Sequence, residues 1–146
     1  MTRRAQIFVA THAGALARAD ALDADQPPQS ATPHAELPGV GPLDLELLGE
    51  EAARALQFGR GDCEPAEVDL DHELLFALPR FLVEVLVELA VAEDPDLPAE
   101  VAKAWAASAE RDLAEGDPLP TVQAIVGVVV AAEQVGRGVY LWLEQE

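Results

Sequence analysis

Apolar and polar positions divide the chain into short, clearly punctuated segments. Residues 6–10, Gln-Ile-Phe-Val-Ala, hold two β-branched side chains and an aromatic in five positions, which predicts a strand. Thr11 is placed to cap a helix over 13–22, where Ala and Leu predominate. Five prolines between 25 and 42 remove backbone donors and fix φ, so that stretch reads as a proline-rich surface loop without regular structure. Leu45, Leu48, Ala52, Ala55 and Leu56 recur at spacings of three and four, the stripe of an amphipathic helix. Glu50 and Arg54 form an i,i+4 pair on its flank, and Gly59 offers a left-handed stop. The next segment, 61–73, is an acidic connector with room for one short strand around Val68.

The most apolar stretch predicts a helix over about 79–92. Pro79 suits a helix start, and behind it only Arg80, Glu84 and Glu88 interrupt the hydrophobic positions, so several neighbours must bury this helix. Residues 74–78 fit either a strand or an extra helical turn, and the following proline favours the extended form. Asp96 and Pro98 open a further helix through Val101, Trp105 and Leu113 to Gly116. Asp117 or Thr121 is placed to cap the next one, which buries Val122, Ile125, Val126 and Val129, although the run Val128-Val129-Val130 has strand character. Residues 139–143 alternate as a strand, with Tyr140 and Trp142 on one face and Leu141 on the other. The expected fold is α+β: four or five helices around the central apolar helix, with a small sheet pairing 6–10 with 139–143. One globular domain spanning 1–146 accommodates all of it. Two strands alone are marginal, so helices must cover them.

Charge narrows the partners. Against 27 Asp and Glu stand 9 Lys and Arg, a formal charge of −18 over 146 residues. Such a chain has little with which to replace the cations condensed on phosphates, and it is repelled by anionic lipid, so neither nucleic acid nor membrane is an expected partner. Mean hydropathy is nonetheless positive, which separates it from disordered acidic chains. Arg outnumbers Lys eight to one and Ala, Leu, Val and Pro abound, the signature of GC-rich coding. Part of the acidity would then be a background of the host proteome rather than a property of one surface.

The lone cysteine, Cys63, allows no intrachain disulfide and no multi-cysteine zinc site, and fits a reducing, cytoplasmic setting. Arg3-Arg4 and the following apolar residues imitate a secretory leader, but Gln6, Thr11 and His12 break its apolar region. No run is long and apolar enough for a transmembrane helix.

Candidate chemistry concentrates in 62–73. Asp69, Asp71 and Glu73 have the i, i+2, i+4 spacing that opens a calcium loop, yet the positions needing glycine and a bidentate glutamate are Leu74 and Arg80. Zinc through Cys63 and His72 would need two further ligands. The simpler reading is a solvated loop in which Asp71 caps the following helix. His12, His34 and His72 are scattered, acids around Cys63 raise its pKa, and no nucleophile elbow, phosphate loop or dinucleotide fingerprint occurs. No cofactor, metal or catalytic residue is assigned.

The expectation is therefore a non-enzymatic acidic domain that binds a basic protein. Its partner-binding residues would be Glu64, Glu67, Asp69, Asp71 and Glu73, with Tyr140 and Trp142 as an aromatic anchor if the last strand lies at a sheet edge. The run 93–96, Glu-Asp-Pro-Asp, is the second choice. In composition the chain resembles immunity proteins and antitoxins that occlude a basic toxin. A DNA-mimicking inhibitor and a small enzyme with a site assembled from distant residues are the alternatives. An exposed terminal strand would also permit a homodimer.

Overall fold

A computed structural model describes residues 3–27, 31–108 and 118–145. Along the chain run β1 (Ala5–Ala10), α1 (His12–Asp23), β2 (His34–Glu36), α2 (Pro42–Leu56), β3 (Ala66–Asp69), β4 (His72–Ala77), α3 (Arg80–Ala90), α4 (Leu97–Ser108), α5 (Leu119–Val135) and β5 (Gly138–Leu143). All strands join one antiparallel sheet in the order β2-β1-β5-β4-β3. The α+β expectation and the pairing of the two terminal strands hold: Ala5 lies opposite Leu143 and Ala10 opposite Gly138.

Alternation along β1 and β5 separates two cores. Ala5, Ile7, Val9, Val139, Leu141 and Leu143 face a thick helical layer in which α5 touches β1 and β5. There α3 packs against α2 and α5, with Leu82, Val85 and Leu86 fully buried. Trp105 of α4 is also fully buried and donates its indole N–H to the Asp44 carbonyl at 2.7 Å. The other face of the sheet, with Phe8, Ala10, Leu75, Tyr140 and Trp142, is covered by α1. That helix contributes only Ala15, Ala19 and Leu22 as buried apolar residues.

Several local expectations change. A strand, β2, does form inside the proline-rich stretch. Pro33 and Pro38 bracket it, and on an edge strand the missing donors cost little; the Pro33 carbonyl even accepts from Val9 N–H at 3.1 Å. Helix α2 stops at Gln57, which takes the left-handed conformation itself (φ 53°), ahead of Gly59. Arg54 pairs with Glu51 at 2.9 Å, one turn position nearer than Glu50. Asp71 caps no helix: it lies in the turn between β3 and β4, where its N–H donates to Asp69 Oδ1 at 3.1 Å. Residues 72–77, partly undecided from sequence, are strand. Thr121 sits within α5 and Pro118 occupies the cap position, while the valine run stays helical because the sheet and its helical neighbours bury both Val128 and Val129. Leu113, Gly116 and Asp117 lie outside the described residues. The last strand is interior, hydrogen-bonded to β1 and β4, so the sheet's edges are β2 and β3 and a dimer through the terminal strand has no free edge to use.

Candidate functional site

The connector after α2 does not run away from that helix but folds back over it. Gly61 backs onto the ring of Phe81, with no room for a side chain between them. Two residues later Cys63 is buried, its Sγ within 2.8 Å of where a Cβ on Gly49 would stand. The consequence is electrostatic. Asp62 and Glu64, on either side of the buried cysteine, are brought alongside Glu46 and Glu50 of α2. Burial, and then the charges of Glu64, Glu50 and Asp62, push the Glu46 carboxyl above its usual pKa. Burial is also the first cause raising Cys63 to about 11, ahead of Glu50, Asp62 and Glu46, which leaves it an inert thiol near neutrality.

Among the described residues none of these four carboxylates has an ion pair, whereas Glu36, Glu51, Glu84 and Glu133 each pair with an arginine. One helix turn before Glu46, Leu43 is 64% exposed, so the same outer face of α2 presents an apolar side chain beside uncompensated negative charge.

The second half of the acidic segment is a separate site. Glu67 is exposed on β3, the edge strand, and Asp71 and Glu73 are exposed at and after the turn. Leu70, at the tip, is 89% exposed. Asp69 is tied down: His72 holds it through Nδ1 at 2.8 Å and holds Asp20 of α1 through Nε2 at 2.8 Å. With both ring nitrogens engaged, His72 is pushed above its ordinary pKa, by the Asp69 bond first, and Asp69 is held below its own. Among the described residues no group of three His, Cys, Asp or Glu is arranged to hold a metal ion.

Tyr140 and Trp142 lie beneath α1, 8% and 3% exposed, and Trp142 Nε1 donates to Asp23 at 2.9 Å. The face on which an aromatic anchor was expected is thus already occupied by the chain's own helix. The sequence reading missed Glu46 and Glu50 as neighbours of Glu64. Their i,i+4 spacing opposite Leu45, Leu48 and Ala52 was visible; the fold-back that joins them to the connector was not.

His12 is exposed on the first turn of α1. His34 borders a cleft of about 360 Å³ that Asp25 and Glu36 also line, but its Nδ1–H donates to the Thr32 carbonyl at 2.9 Å and no carboxylate bonds it among the described residues. No helix of the described residues is long and apolar enough to cross a membrane. No protein-family model, curated protein or solved structure matches the chain.

Proposed function

We propose that the chain is a non-enzymatic binding domain whose acidic patch engages a positively charged protein and neutralises it by occlusion, as immunity proteins and antitoxins do. The observation that carries this reading is the group Glu46, Glu50, Asp62 and Glu64, brought together with no ion pair to any of the four among the described residues. Like charges held together cost stability, and a partner's Lys and Arg side chains would relieve that cost on binding. Exposed Leu43 replaces the buried aromatics as the candidate apolar anchor beside this patch, while Glu67, Asp71 and Glu73 with exposed Leu70 form a separate acidic surface at the β3–β4 hairpin. Complementary charge of this kind raises association rates by roughly 10- to 1000-fold at low salt.

Two four-charge variants test the reading in affinity capture from extracts of the native host at moderate salt. One is Glu46→Gln, Glu50→Gln, Asp62→Asn and Glu64→Gln. The control, Glu88→Gln, Glu93→Gln, Asp94→Asn and Asp96→Asn, removes the same charge elsewhere. A basic protein retained by the wild type and by the control, and lost by the patch variant, is the expected outcome. Retention by both variants, or capture indifferent to ionic strength, would sink the proposal. If the captured protein releases bound DNA on capture, the partner is a nucleic-acid-binding protein and the mode is mimicry of DNA.

An enzymatic reading has one observation in its favour, the cleft beside His34. Its described lining contains no serine, cysteine or lysine to act as a nucleophile, and His34 spends one ring nitrogen on a backbone carbonyl.

A further inference from the structure

A second feature lies on the α1 side of the sheet, built from different residues than the acidic patch. Arg18 is 7% exposed and is the only arginine or lysine buried among the described residues. Its Nε–H donates to Gln6 Oε1 at 2.7 Å, and its guanidinium lies 5.1 Å from the centroid of the Phe8 ring. Gln6 passes the chain on, donating through Nε2 to Glu36 Oε1 at 2.9 Å; Arg4 donates to that same oxygen at 3.3 Å while packing over Trp142. The side chain of Arg18 is therefore fixed in plane and direction by its Nε bond and by the ring beneath it. Among the described residues its two terminal nitrogens make no hydrogen bond or ion pair, and they are not sealed from solvent. Arg18 lines a cleft of about 360 Å³ together with Arg4, Gln6, Asp25, His34 and Glu36, a volume within the range of small-molecule sites.

A buried guanidinium with one edge satisfied and the other facing a cleft is poised for a bidentate carboxylate or phosphate. Charge decides between them. Arg4 and Arg18 are offset by Glu36 and Asp25, so the lining is formally neutral, and it sits in a chain of charge −18. A dianionic phosphate would enter against that field, whereas a carboxylate accompanied by its own ammonium group would enter at no net charge. Asp25, with no bond to its carboxylate among the described residues, offers the cationic end a partner. We infer that the cleft between α1 and the β1–β2 edge binds a small zwitterion of the amino-acid type, its carboxylate on the Arg18 fork and its ammonium toward Asp25.

The probe is the set of free α-amino acids, titrated into the ¹⁵N-labelled full chain near neutral pH, with acetate and methylammonium as the separated half-ligands. At least one amino acid should bind saturably and shift the Arg18 Nε–H and Gln6 side-chain amide signals, with acetate weaker by about tenfold or more. Arg18→Lys keeps the charge but loses the planar fork and should weaken the amino acid by about tenfold or more. Asp25→Asn should do the same while leaving acetate unchanged; asparagine accepts the φ of 54° found there, so this variant folds even if the first does not. Three results overturn the inference: no saturable binding up to about 10 mM of any amino acid, acetate binding as tightly as the amino acid, or full affinity in Asp25→Asn.

Discussion

His72 joins three elements with two bonds: Asp69 at the end of β3, its own position at the start of β4, and Asp20 on α1. Both partners favour its protonated form, so its pKa is raised in the folded chain. Stability from that shift is fully present below the unfolded value of about 6.5 and is lost as pH rises through the higher folded pKa. Asp69 runs the other way: its pKa is lowered, so its share is present above the unfolded value of about 3.9 and disappears as pH falls through the folded one. The triad should therefore help most in mildly acidic solution. Urea midpoints measured across pH for the wild type and His72→Gln should differ most near pH 5 to 6 and converge at alkaline pH; a gap that widens with pH would contradict the assignment. The sequence offered His72 only as a scattered histidine, because its partners lie 3 and 52 positions away and the second is set by how α1 crosses the sheet.

Elements differ in how they are held. Helices α2 and α3 approach closely at Gly49, where an added Cβ would stand 2.5 Å from Leu82 Cδ1 and 2.8 Å from Cys63 Sγ. Gly49→Ala would gain about 1 kcal/mol of helix propensity and lose about 1–3 kcal/mol to overpacking. Leu82 is fully buried and Cys63 nearly so, leaving neither free to retreat, so the loss should win. Urea denaturation should show Gly49→Ala destabilised, and Cys63→Ala should recover part of the deficit in the double variant. Helix α1 is the opposite case. Two alanines and one leucine are its apolar contribution to the core, and directional bonds through Arg18, Asp20 and Asp23 supply much of its remaining attachment. Its amides should exchange with solvent well before those of α3, whose five buried residues are all aliphatic; equal protection in the two helices would show that the polar bonds carry more than supposed. Helix α2 and strand β5 were legible because one period dominates each, β1 because of its β-branched and aromatic residues, and α3 because its apolar run behind Pro79 is nearly unbroken. The missed strand, β2, owes its existence to the neighbouring edge of β1 and not to its own three residues.

At the scale of the whole molecule, a charge of −18 is a bulk property, and the fold converts part of it into a place. The acidic connector was conspicuous in sequence, yet the structure divides it in two. Asp62 and Glu64 join Glu46 and Glu50, while Asp69 goes to His72 and the hairpin turn. Such a division depends on Cys63 being buried beside Gly49, a tertiary contact that no local pattern announces. The same fold removes Tyr140 and Trp142 from the surface and leaves Leu43 and Leu70 on it. Recognition of a basic partner should accordingly be local to the α2 face. The direct measurement is a titration of the ¹⁵N-labelled chain with an oligo-arginine peptide, followed by chemical-shift mapping at low and at high salt. Binding through the patch predicts perturbations centred on Glu46, Glu50, Asp62 and Glu64 that fade as salt screens them. Perturbations spread evenly over the chain, or centred on 93–96, would contradict it.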